Sequence, residues 1–268
     1  MPQVNIEMDG PVAIVRFTNP PDGFMDGKTV PEITAMLDQL GEDEGVRAII
    51  LTGGLPDVFI RHYSVVELEA RAREQRAAGM SYNLIQPIPE RQLHADFRRI
   101  EDSPKPFIAA INGTAMARAS EMALRCDFRI TQDGPYSLGL PEINIGILPG
   151  AGGTQRLSRI IGQAKTLELT LLGKTLSPRE AAEYGLVTEC CVGSALDRAL
   201  EIGHELARKS PHAVAYIKHL VRRSELVSPM DGLAAERTLF TDLLVRDEAV
   251  TLMAEMNQSK RDIRDRQG

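Results

Sequence analysis

The stretch Pro141-Glu142-Ile143-Asn144-Ile145-Gly146-Ile147-Leu148-Pro149-Gly150-Ala151-Gly152-Gly153-Thr154-Gln155-Arg156-Leu157 carries the most information in this chain. Glu142 stands in an otherwise apolar run, where a carboxyl group loses hydration, titrates higher and can exchange a proton near neutrality. An isolated acid among apolar residues is costly unless it is paired or functional. The glycine-rich loop runs into a helix expected from about Gly153, whose first N–H groups lack partners within the helix. Gly150, Gly152 and Gly153 equally suit turn geometry alone.

Upstream lies a second informative stretch, Pro104-Lys105-Pro106-Phe107-Ile108-Ala109-Ala110-Ile111-Asn112-Gly113-Thr114-Ala115, followed by Glu121-Met122-Ala123-Leu124-Arg125-Cys126-Asp127. Phe107 to Ile111 reads as a buried strand and Asn112-Gly113 as a turn. A short helix is expected over Ala119 to Leu124. Unpaired N–H groups at such a helix start can face a developing negative charge. Glu121 on that helix could serve chemistry or be a partly solvated carboxylate.

Further outward, Val4 to Met8 and Val12 to Phe17 alternate around Asp9-Gly10, the pattern of a hairpin. Asn19-Pro20-Pro21-Asp22-Gly23 ends it. Ile33, Met36, Leu37 and Leu40 recur at helical spacing, and Val46 to Leu51 reads as a strand. The charged segment from Val65 to Ile100 is broken by Pro87 and Pro89 and predicts two helices with a mobile connection. Phe128 to Thr131 and Val187 to Val192 are further strands. From Ala195 the period is helical, with Pro211 and Pro229 marking helix starts. The reading is an α/β body over 1–194 and a helical C-terminal region over 195–268.

A chain of 268 residues, 43% of them hydrophobic, can bury a sizeable core. The opening MPQVNIEMDG lacks a basic and then apolar leader pattern, and no segment approaches the ~18 apolar residues of a membrane span, so a cytoplasmic protein is expected. The formal net charge of −6 disfavours a nucleic acid partner. Cys126, Cys190 and Cys191 lack metal-site spacing and are expected reduced, so no metal is expected.

Both informative stretches resemble the enoyl-CoA hydratase/isomerase (crotonase) family. The matching pattern is Pro-Lys-Pro, an apolar strand, Asn-Gly-x-Ala, then Glu-x-Ala-x-x-Cys-Asp, then Pro-Glu-x-x-x-Gly-x-x-Pro-Gly-x-Gly-Gly-Thr-Gln-Arg-Leu. More weakly, the likeness spans nearly the whole chain. It implies a spiral of ββα units with a helical C-terminal trimerisation region, as a homo-trimer or dimer of trimers. It also implies an acyl-CoA substrate, with coenzyme A part of the substrate and no separate cofactor. The thioester carbonyl would lie between two backbone N–H groups, here those of Tyr63 and Arg118, which would stabilise an enolate. Glu121 would hold water and Glu142 would exchange a proton at the α-carbon. Met25, Arg61, His62, Ser64, Val65, Ala117, Pro141 and Gly150 would line the substrate.

Two departures from the family pattern stand out. Ala117-Arg118-Ala119 replaces three glycines, and an arginine is strained if its position needs a positive φ. Its side chain must leave the pocket or cross it. Phe59-Ile60-Arg61-His62-Tyr63-Ser64 replaces a run of small residues with bulky ones. His62 reads as a structural or rim residue, since nothing in the sequence pairs it with a carboxylate. Arg61 and Arg118 are either surface cations or partners for phosphate or carboxylate groups of a substrate. Hydration of a 2-enoyl-CoA is the leading reading. The others are a divergent isomerase, a hydrolase of a carbon–carbon bond in a diketone, and a non-catalytic relative.

Overall fold

The computed structural model describes residues 2–259 and 262–264. The sequence-predicted hairpin forms from β1 (Val4–Asp9) and β2 (Val12–Phe17), paired antiparallel. Helix α1 (Thr29–Glu42) follows and buries Ile33, Met36, Leu37 and Leu40, the residues whose spacing predicted it. Then come β3 (Ala48–Gly53), β4 (Asp57–Ile60), α2 (Val65–Ala77) and α3 (Gln92–Asp102). The two helices of the charged segment are present, joined by an irregular connection over 78–91.

The chain continues through β5 (Phe107–Ile111), β6 (Gly113–Met116), α4 (Arg118–Ala123), β7 (Phe128–Gln132) and β8 (Leu138–Gly139). A 3-10 turn over Glu142–Ile145 precedes α5 (Gly153–Ile161) and α6 (Gln163–Leu172). Next are β9 (Thr175–Leu176), α7 (Pro178–Tyr184) and β10 (Glu189–Cys191). Four helices finish the chain: α8 (Ala195–Ala207), α9 (Pro211–Arg223), α10 (Pro229–Leu244) and α11 (Asp247–Gln258). No helix among the described residues is long and apolar enough to cross a membrane.

One sheet runs β1-β2-β3-β5-β7-β10, parallel apart from β1, and the other runs β4-β6-β8-β9. After the first hairpin and α1, three successive turns of the chain each give one strand to each sheet and then a helix: β3-β4-α2, β5-β6-α4, β7-β8-α5. That repeat is the spiral of ββα units. Strands covered on both faces must be apolar throughout, and all residues of β3 and β5 are buried. Ile49, Leu51, Phe107, Ala109 and Ile111 face the core shared with α1 and α3. Ile50, Ile108 and Ala110 face Ala195 and Ala199 of α8.

The Asn112-Gly113 turn expected after β5 is instead the crossing between the sheets. Gly113 already belongs to β6 and pairs with Asp57. A Cβ on Gly113 would stand 1.9 Å from the Asp57 carbonyl carbon, so only glycine fits. Cys126 is buried and Cys190 and Cys191 are half-buried, all three as free thiols.

Candidate active site

Strands β4 and β6 run parallel, with Ile60 opposite Ala115 and the Met116 N–H donating to the Arg61 carbonyl at 3.1 Å. Just beyond this pairing both strands end. Met25 straddles Tyr63, donating to the His62 carbonyl at 2.9 Å and accepting from the Ser64 N–H at 2.7 Å. The Tyr63 N–H and the Arg118 N–H therefore follow the last pairing of the two neighbouring strands. Neither donates to any other atom among the described residues. Two free donors on adjacent strand ends suit an oxygen that gains negative charge.

Arg118 does not need a positive φ; that conformation falls one residue earlier. Ala117 has φ 53° and ψ −120°, a conformation that L residues rarely adopt, while Arg118 is the first residue of α4. Ala117 is pinned by its N–H, which donates to the Gly139 carbonyl of β8 at 2.9 Å.

Glu121 is 1% exposed, which settles the solvated alternative. Its Oε1 accepts from the N–H groups of Ala151 at 2.6 Å and Gly153 at 2.9 Å. The glycine-rich loop thus spends two of its donors on this carboxylate. A side chain at Gly153 would push its neighbours aside, because a Cβ would meet Pro149, Leu140 and Glu121 Oε1 at 3.0 Å or less. Oε2 of Glu121 accepts from Arg118 Nη1 at 3.2 Å. The Arg118 side chain therefore crosses the site and does not leave it. An Arg-x-x-Glu spacing at the start of a helix is the sequence signal for this pair.

Glu142 opens the 3-10 turn, 8% exposed, and its Oε2 has no hydrogen-bond partner among the described residues. Burial pushes its carboxyl up to about 7, and the nearby Glu121 charge adds to the rise. A buried acid with one oxygen unpartnered, poised at neutrality, has the property expected of a proton-exchanging group.

The remaining sequence candidates separate into groups. Gly150 adjoins the Arg118 guanidinium, and its carbonyl lies 2.9 Å from His94 Nε2 on α3, a contact that sequence gave no reason to expect. Pro141 caps the turn that carries Glu142. Met25 places its side chain in the core, so it acts by bracketing Tyr63. Ser64 caps α2 by accepting from the Glu67 N–H, and Val65 begins that helix, partly exposed. His62 stacks on Phe24 and lies 2.8 Å from the Tyr63 carbonyl, a structural position. Arg61 pairs with Asp22 at the surface and lies over the Phe24 ring. The Tyr63 hydroxyl donates to Glu67, and burial raises its pKa to about 12.

A groove of about 1250 Å³ lies elsewhere, among α5, α8, α9 and α11, with Ile160, Ile217, Lys218, Val221 and Met253 on its walls and neither Glu121 nor Glu142 among its residues. A wide groove by itself supplies no reactive group, so the two acids are the stronger candidates for chemistry.

Comparison with known proteins gives the family of the chain. The family model described as enoyl-CoA hydratase/isomerase matches residues 7–262. A probable enoyl-CoA hydratase of Bacillus subtilis is 32% identical over 256 residues, covering 93% of each chain. The short-chain-enoyl-CoA hydratase of Clostridium acetobutylicum is 32% identical, covering 88% of this chain and 87% of its own. The crystal structure of an enoyl-CoA hydratase from Bacillus anthracis superposes with a TM-score of 0.84 at 27% identity, covering 97% and 98% of the two chains. With both glutamates seated in the ββα spiral and the family match spanning the chain, the protein belongs to the enoyl-CoA hydratase/isomerase, or crotonase, family.

Proposed function

We propose that this protein adds water across the double bond of a trans-2-enoyl thioester of coenzyme A. The observation that carries this reading is the Glu142 carboxyl, buried, with Oε2 lacking a hydrogen-bond partner among the described residues and its pKa raised to about 7, beside the fixed carboxylate of Glu121. In this reading the thioester oxygen sits between the N–H groups of Tyr63 and Arg118, which draw electron density onto it. Glu121, held through Oε1, positions the water with Oε2. Glu142 gives a proton to the α-carbon as the hydroxyl adds to the β-carbon. Coenzyme A enters as part of the substrate, no separate cofactor is needed, and the chain works as a homo-trimer or a dimer of trimers. Hydratase names among its relatives support the substrate class.

The test is the loss of ultraviolet absorbance of crotonyl-CoA and longer 2-enoyl-CoAs on adding the protein, with Glu121→Gln and Glu142→Gln alongside. The expected result is turnover that drops by roughly a hundredfold or more in each variant, the scale of one general acid or base. A Glu142→Gln variant as active as wild type would sink the reading.

One observation favours a second reading. Arg118 occupies the oxygen of Glu121 that would hold water. If that pair persists with substrate bound, Glu142 alone moves protons and the reaction is double-bond isomerisation. Conversion of 3-enoyl-CoA to 2-enoyl-CoA without hydration product identifies that case.

A further inference from the structure

Arg118 is placed where a substrate can meet it. Its side chain is 18% exposed, with Nη1 on Glu121 Oε2 at 3.2 Å. Its Nη2 stands 3.5 Å from where a Cβ of Gly150 would be, on the loop that closes the site. A guanidinium has five N–H donors in a planar fork, and Glu121 accepts from one. The others have no acceptor among the described residues. Glu121 does not depend on Arg118 for its position, because Ala151 and Gly153 hold the other oxygen. Glu142, the remaining acid nearby, is raised to about 7 and forms no bond to Arg118.

A neutral acyl chain would leave this cation partly desolvated, with unused donors and with the water-holding oxygen of Glu121 occupied. A carboxylate on the acyl chain would satisfy the fork in a bidentate pair and draw the guanidinium away from Glu121. Distance sets the chain length: the guanidinium touches the carboxylate that positions water at the β-carbon, so the second anionic group must lie one or two bonds past that carbon.

Resting on the hydratase reading above, we infer that Arg118 is a specificity-determining residue that selects short enoyl thioesters bearing a second carboxylate close to the double bond. The carboxylate frees Glu121 for water as it binds, so recognition and activation occur in one movement. The substrate class is thus a short dicarboxylic mono-thioester.

The experiment compares glutaconyl-CoA with 5-methylhex-2-enoyl-CoA, in which an isopropyl group replaces the carboxylate at nearly the same shape. In wild type, kcat/KM is expected to favour glutaconyl-CoA by about tenfold or more, the scale of one charge-assisted pair. In Arg118→Met the preference disappears, and in Arg118→Lys part of it returns. Equal kcat/KM in wild type, or a preference that survives in Arg118→Met, overturns the inference. Should wild type turn over crotonyl-CoA but neither of these thioesters, the inference is overturned; should it turn over none of the three, the hydratase reading fails and binding decides separately. Calorimetry would then compare glutaryl-CoA with 5-methylhexanoyl-CoA. Tenfold tighter binding of the dicarboxylic ligand, lost in Arg118→Met, supports selection by Arg118, and equal binding refutes it.

Discussion

Glu142 makes a definite statement about pH. Its carboxyl is raised from 4.5 to about 7, with burial the larger cause. The folded state therefore favours the neutral form: that preference is complete below pH 4.5 and is lost as pH rises through 7. The charge costs on the order of 3 kcal/mol above that window. Glu142→Gln, which mimics the neutral acid, is expected to match wild type in thermal stability at pH 5 and exceed it at pH 8; equal melting at both pH values would contradict the burial argument. Hydration, which consumes the proton of Glu142, should lose kcat as pH rises through about 7, while dehydration gains it. Ala117 carries a second residue-scale consequence. Its φ of 53° with ψ −120° costs about 1–3 kcal/mol in an L residue, and glycine gives back about 0.4–1 through the unfolded chain. Ala117→Gly should raise stability by about 1 kcal/mol, measured by denaturant titration.

Among the elements, the regular ones were legible because their periods are clean. The four apolar residues of α1 and the uniformly buried β3 and β5 follow directly from sequence pattern. Asn112-Gly113 misled because a turn and a crossing between sheets use the same residue types; what distinguishes them is the Asp57 backbone, far away in sequence, against Gly113. Both acids were legible as lone carboxylates in apolar or small-residue settings. The partners of Glu121 were less so, since the loop donors could equally have faced a ligand, and His94 gave no signal at all. Gly153 offers the element-scale test. Its Cβ would push on Glu121 Oε1 and on Pro149 of the same loop. Gly153→Ala should lower kcat by about a hundredfold through misplacement of Glu121 while the protein stays folded by circular dichroism. Retention of full activity would mean that the loop does not position the acid.

At the scale of the whole molecule, one buried carboxylate ties the C-terminal helices to the body. Glu101 of α3 meets Arg125 at 2.7 Å, Arg156 of α5, and Arg222 of α9 at 3.8 Å. Removing one member of such a cluster strands buried charge, so Glu101→Gln is expected to cost about 3–5 kcal/mol, read from the shift in denaturant midpoint. Arg222 and Lys218 of α9 also pair with Asp127. Beyond this anchor the helices expose Ile217, Val221, Met230, Leu233 and Phe240. An apolar face of that extent suits association, and sedimentation should find a trimer or hexamer of the 29.4 kDa chain; a monomer at micromolar concentration would exclude the assembly proposed above.

The loop that holds Glu121 also has a bearing on how activity is regained after denaturation. Ala151 and Gly153 lie 30 and 32 residues downstream of the acid they hold, and His94 lies 56 residues upstream of Gly150. Closing such spans costs chain entropy that local helices do not bear. On refolding, helical signal is therefore expected to return before turnover, and simultaneous recovery of the two would contradict this order.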